Sequence, residues 1–161
     1  MDLTPIHQRH IDLMQTTVDI LGNVLAPVSQ AVATSLRDGH DGPKGWTIVE
    51  VVCHLRDFDL FFQHRAQLML QQDYPTLPGY DHEALAIERN YINNDLHQAY
   101  TVLVESRRQF VEFFEGLTTE QWSCADIHPE RGHFTMTDAV MQVGIHDCIH
   151  LEQITRILNG G

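Results

Sequence analysis

Trp46-Thr47-Ile48-Val49-Glu50-Val51-Val52-Cys53-His54-Leu55-Arg56-Asp57 reads as the start of a helix. Thr47 is a good N-cap. Glu50 stands three residues on, the spacing of a capping box, in which each side chain satisfies the other residue's backbone N–H. Before it, Arg37-Asp38-Gly39-His40-Asp41-Gly42-Pro43-Lys44-Gly45 holds three glycines and a proline and reads as a loop. After it, Val51, Val52, Leu55, Phe58, Phe62 and Leu68 keep a three- to four-residue period. The helix is therefore expected over 48–72.

The same period extends outward. Leu3, Ile6, Leu13, Met14, Val18, Leu21 and Leu25 predict a helix over 3–25, with Pro5 in its first turn and Gly22 and Pro27 weakening or ending it. Asn93-Asn94-Asp95 offers caps for a helix over 95–116, carrying Leu96, Tyr100, Leu103, Phe110, Phe113 and Phe114 and closed by Gly116. A fourth long helix is expected over 136–158. Shorter helical stretches fit 29–36, 81–89 and 118–122. The segments 73–80 and 125–134 read as breaks, and no alternating apolar run competes. The fold class is all-α, a four-helix bundle. Spacing does not reveal the order of helices around it. The 161 residues fit one domain, 1–161.

His146-Asp147-Cys148-Ile149-His150 places two histidines at i, i+4, so both rings leave one helix face a turn apart. His54 stands on the other well-marked helix. In projection, Thr47, Glu50, Phe58 and Phe61 lie within about 40° of it, and Asp57 within about 60°. On the last helix, Ala139, Gln142, Gln153 and Ile157 share the His146/His150 face. Two imidazoles on one helix and a third from a facing helix can hold one divalent ion and leave positions open. With eleven histidines in the chain, spacing alone leaves a second reading open, that of ordinary core or solvated histidines.

His10 sits near the apolar stripe of the first helix. It is weighed as a fourth ligand, with a core or boundary role preferred. His64 is expected to face away, and His7, His40, His82 and His97 to be exposed. His128 and His133 are expected in an exposed loop, with an overhang of the site as the alternative. Trp46 and Trp122 read as packing residues at helix ends. Cys53, Cys124 and Cys148 have no disulfide or CxxC spacing and read as small buried hydrophobes. Ser106 and Ser123 lack a His/Asp setting for nucleophilic catalysis, and no GxSxG, P-loop, GxGxxG or HExxH is present.

Composition excludes other classes. The count of 22 acidic against 10 basic residues gives a net charge of −12. No basic cluster is available to neutralise phosphates, so neither nucleic acid nor an anionic membrane is an expected partner. No run of 18 apolar residues would span a bilayer. The N-terminus lacks a basic-then-apolar signal pattern, so a cytoplasmic location is expected.

Gly45 to Asp57, together with Gly132-His133-Phe134-Thr135-Met136 leading to His146-Asp147-Cys148-Ile149-His150-Leu151-Glu152-Gln153-Ile154, resembles the DinB-like superfamily of DinB/YfiT-type metal-binding four-helix bundles. The shared pattern is a Trp-Ser/Thr helix start before His-Leu-x-Asp, and a late His-x-x-x-His-x-x-Gln-Ile. The resemblance covers nearly the whole chain. It implies a three-histidine site for a divalent metal (Zn, Ni or Fe), whose ligands map onto His54, His146 and His150, and often a homodimer. It also implies a small-molecule substrate and metal-assisted hydrolysis, or S-transfer using a low-molecular-weight thiol such as bacillithiol, mycothiol or glutathione. A non-catalytic metal- or ligand-binding stress protein is the alternative. In the enzyme reading, Glu50 or Asp57 orients a ligand histidine or shuttles a proton.

Overall fold

The structure is a computed structural model that describes residues 3–71 and 76–160. Residues 73–75 of the expected break, and residue 72 of the expected second long helix, lie outside the described residues. In chain order the helices are α1 (Thr4–Leu25), α2 (Gln30–Ser35), α3 (Ile48–Gln71), α4 (His82–Glu88), α5 (Leu96–Glu115), α6 (Thr119–Trp122) and α7 (Met136–Leu158). Short 3-10 stretches at Gly39–Lys44 and Tyr91–Asn93 lie ahead of α3 and α5.

The four long helices are α1, α3, α5 and α7. Around the bundle α3 packs between α5 and α7, and α1 packs between the same two. The first two long helices are therefore diagonal partners, which periodicity could not reveal. Gly22 lets α1 and α5 approach: a Cβ there would lie 2.2 Å from the Tyr100 hydroxyl oxygen, and that hydroxyl donates to the Val18 carbonyl at 3.1 Å.

The segment 125–134, read as a loop, is an antiparallel hairpin of β1 (Ala125–His128) and β2 (Gly132–Thr135). Four residues per strand are too few for a period to register, and Gly132 at φ 72° makes the turn that joins them. His128 is buried within it rather than exposed, its Nε2 3.0 Å from Arg65 of α3. Arg65 also donates to the Pro78 carbonyl and so ties the hairpin and the 76–80 segment to the bundle.

The apolar core has two halves. One gathers Val18, Leu21, Val52, Leu55, Leu103 and Ile154. The other gathers Met14, Phe62, Phe110, Phe114, Val140 and Val143. Between them every long helix contributes a buried polar side chain: Thr17, Asp59, Arg107 and Asp147. Arg107 Nε donates to Asp59 at 2.7 Å, and its Nη atoms donate to Asp147 at 2.6 and 3.1 Å. Ser106 donates to Asp59 Oδ2, and Thr17 donates to Asp147 Oδ2, which also accepts from Arg107. A buried charge is tolerated only when paired and hydrogen-bonded, as this one is. Burial opposes the Arg107 charge, but Asp59 and Asp147 outweigh it and raise its pKa.

Candidate metal centre

The capping box starts α3 as its sequence predicts. Thr47 N and Oγ1 both donate to Glu50 Oε2 at 2.8 Å, and Glu50 N donates to Thr47 Oγ1 at 3.4 Å. A second box, Thr135 with Asp138, starts α7. With both helices fixed at their N-termini, His54 on the second turn of α3 faces His146 and His150 on α7. His54 Nε2 and His146 Nε2 are 2.9 Å apart. One nitrogen from each of the three rings falls within 4.8 Å of the other two. The ring centroids of His54 lie 4.9 Å from His146 and 4.6 Å from His150, and those of His146 and His150 lie 4.6 Å apart.

Such convergence is costly for charged imidazoles, and the three rings are kept neutral. Burial pushes the His54 pKa down, and His146, His150 and His82 push it further. Burial also lowers His146 well below the ordinary value, with His150 and Arg107 adding to it. At His150 burial again prevails, over the opposing effects of Gln153 and Asp147. Neutral imidazoles are the protonation state that binds metals.

The proton on His150 is placed by a relay. Its Nδ1 lies 2.8 Å from Gln153 Oε1, while Gln153 Nε2 donates to Asp38 Oδ2 at 2.8 Å. Asp38 is held by Arg156 and by the His40 backbone N–H. A carboxylate accepts only, so it forces the amide nitrogen of Gln153 toward itself and the amide oxygen toward His150. His150 Nδ1 therefore carries the hydrogen, and Nε2 presents a lone pair to the cluster. Gly45 permits this: a Cβ there would lie 2.0 Å from the Asp38 carbonyl oxygen, so the 37–45 loop folds back tightly only with glycine at that position.

Glu50 and Asp57 do not reach a cluster histidine through any hydrogen bond among the described residues. Glu50 is occupied in the cap and lies 3.6 Å from Arg37. Asp57 Oδ1 accepts from Arg56 at 2.7 Å, and its Oδ2 accepts from Arg89 at 2.8 Å and Tyr91 at 2.7 Å. Burial would raise the Asp57 carboxyl, but hydrogen bonds from Arg56 and Tyr91 outweigh it and hold the pKa below the ordinary value. His54 Nδ1 is buried with no partner.

A cavity of about 640 Å³ opens over the cluster. His54, His146 and His150 line it together with Trp46, Phe58, Gln153, His82, Glu83, Asp41 and Lys44. Trp46 lies 5.1 Å from the His54 ring and 5.8 Å from His82, so it borders the site instead of merely packing a helix end.

The other candidates separate. His10 is half-buried and outside the cluster, its buried Nδ1 lacking a partner. His7, expected exposed, is buried against Trp122 with ring centroids 3.7 Å apart. His40, His82 and His97 are exposed as expected, His64 is exposed and outside the cluster, and His133 is exposed on β2. Cys53 is the buried hydrophobe expected, its thiol pushed up to about 11 by burial; Cys148 is exposed, which corrects the sequence reading for that residue. The Asp38–Gln153 relay was missed. Its one sequence signal is Gln153 at i+3 from His150, because Asp38 arrives from a loop 115 residues away.

The sequence profile of the DinB superfamily matches residues 10–154. A candidate metal-dependent hydrolase of Oceanobacillus iheyensis is 25% identical over 142 residues, covering 88% of this chain and 79% of the relative. YfiT of Bacillus subtilis, also named as a candidate metal-dependent hydrolase, is 26% identical over 144 residues, covering 87% and 81%. A solved structure of YfiT, described as having an unusual four-helix bundle topology, superposes with a TM-score of 0.84 at 22% identity, covering 95% of this chain and 86% of that one. At that identity the superposition speaks to the fold. No helix among the described residues is long and apolar enough to cross a membrane.

Proposed function

The chain belongs to the DinB superfamily, and on that premise we propose that it is a metal-dependent hydrolase of a small molecule, with His54, His146 and His150 as the ligands of one divalent ion. The observation that carries the reading is the convergence of three neutral imidazoles on the lining of an open cavity. Three ligands leave coordination positions for water and substrate, and the cavity supplies the approach to them. Zn, Ni and Fe all suit three imidazoles. A divalent ion so held supplies Lewis acidity and brings the deprotonation of water into the neutral range.

The chain's own residues do the rest. Gln153, backed by Asp38, keeps the lone pair of His150 Nε2 on the cluster. Trp46 and Phe58 give the cavity an apolar wall beside His54. Glu50 and Asp57 are anchors in this reading: one caps α3, and the other clamps α3 to the segment carrying Arg89 and Tyr91. A thiol cosubstrate would use the same open position. The relatives are named as candidate metal-dependent hydrolases, so hydrolysis is the reading carried forward.

The test is elemental analysis of protein purified without chelator, followed by a panel of ester and amide substrates with and without added thiol. One equivalent of a divalent metal and turnover without thiol are expected. Turnover only with thiol would move the assignment to S-transfer. Full metal stoichiometry in H54A, H146A or H150A would remove that residue from the ligand set.

A further inference from the structure

His146 borders two cavities. Besides the one over the cluster, a second of about 370 Å³ lies between the hairpin and the outer face of α7. Its wall combines Arg131 and His133 of the hairpin with Met141, Ile145, His146 and Ile149 of α7. Volumes in this range suit small ligands. Ile145 and Ile149 are 50% and 60% exposed, so the apolar side of this cavity faces solvent. Arg131 takes part in none of the ion pairs found among the described residues. The one carboxylate on the same wall, Asp138, has its Oδ2 committed to Thr135 N and Oγ1 in the α7 cap. In a chain of net charge −12, an arginine outside every ion pair found among the described residues, beside an apolar groove, is an unusual combination.

His146 adds a further polar group, beside Gln142. Its Nε2 points at His54, and its Nδ1 makes no hydrogen bond among those of the described residues. Unlike His54 Nδ1, it is not sealed from solvent. In the 2.9 Å Nε2–Nε2 contact one ring donates and the other accepts; with His54 as the donor, His146 carries its own hydrogen on Nδ1 and donates it there. His150 has Gln153 as its outer partner; His146 has none among the described residues.

We propose that this second cavity binds a small carboxylate with an apolar body. The carboxylate is held by Arg131 and His133 within reach of His146, and the body lies along Met141, Ile145 and Ile149. Arginine matches a carboxylate with two parallel donors, and exposed isoleucines beside it select an amphipathic anion over an inorganic one. The assignment does not require the metal.

The test uses octanoate, with octanamide as its uncharged counterpart, titrated into metal-free protein by calorimetry and by methyl NMR. Octanoate is expected to bind about tenfold or more tightly than octanamide, and R131Q, on an exposed turn, to erase that preference. The shifted methyl signals should be those of Met141, Ile145 and Ile149. Equal affinity for acid and amide, an unchanged preference in R131Q, absence of binding, or shifts confined to the Trp46 side of the cluster would each overturn the proposal. Because the titration is done without metal, it stands or falls separately from the hydrolase reading.

Discussion

His146 and Asp147 are neighbours on α7, and about 100° of helix rotation sends them into two polar clusters built on opposite rules. Asp147 joins Asp59, Arg107, Thr17 and Ser106 in the middle of the bundle, where every donor meets an acceptor of opposite character. His146 joins His54 and His150, where like groups converge, their pKa values are depressed, and nitrogens are left without partners. The first arrangement is saturated and has nothing left to offer a ligand. The second is unsaturated and gains from an added cation. Burial and polarity are common to both, so neither marks a functional site by itself. What separates them is whether the cluster completes its own hydrogen bonding.

That contrast breaks most visibly at Arg107. R107M leaves two carboxylates buried without their cation, a loss of about 3–5 kcal/mol. For a chain of this size that is a fall in Tm on the order of 10 °C. Thermal unfolding of metal-free protein measures it, and a change under about 1 kcal/mol would mean that the central cluster is not what closes the core.

The histidine cluster should behave in the reverse way. Metal at about a hundredfold over Kd stabilises wild-type protein by about 2.7 kcal/mol, and a chelator should return it to its starting Tm with the helical signal intact. In H54A, H146A and H150A the metal-dependent rise should vanish. The metal-free Tm should move by no more than a few degrees. A collapse of the metal-free fold in these variants would place the histidines with Arg107, as structural residues.

Between the extremes stands the relay. Q153L removes the group that orients His150, and metal affinity should fall about 10- to 100-fold with the ligands themselves untouched. D38N should give a smaller loss, because the amide of Gln153 keeps one partner fewer but His150 keeps Gln153. Equal affinities for wild type and Q153L in a competition titration would remove the relay from the site.

The smallest expected effect sharpens the assignment of Asp57. Its carboxyl is held below the ordinary value in the folded state, so its contribution is present above the ordinary carboxylate range and is lost as pH falls through the lower folded value. D57N should cost about 1–2 kcal/mol at neutral pH. It should also flatten the loss of stability on acidification, and leave metal affinity unchanged. A matching loss of metal affinity, followed by titration at constant pH, would return Asp57 to the site.

Much of this architecture was legible before any coordinates. The caps at Thr47 and Gly116 and the apolar period from Val51 to Leu68 place the long helices within a residue or two, because these are local signals. The i, i+4 spacing of His146 and His150 is a local signal too. The hairpin was not legible: its two strands have four residues each, and it is held by Arg65 of α3 acting across the fold. Nor was His7, polar by type but buried because α6 brings Trp122 against it.

The sequence by itself determined which segments are helical and which histidines could share a face, since propensity, capping and periodicity act over one or two turns. Only the tertiary structure decided that α1 and α3 are diagonal, that Asp38 reaches Gln153 from a distant loop, and that Asp147 turns inward to Arg107 while His146 turns to His54. Those outcomes depend on contacts between residues far apart in the chain, whose geometry is set by how four helices pack and not by any spacing along one of them.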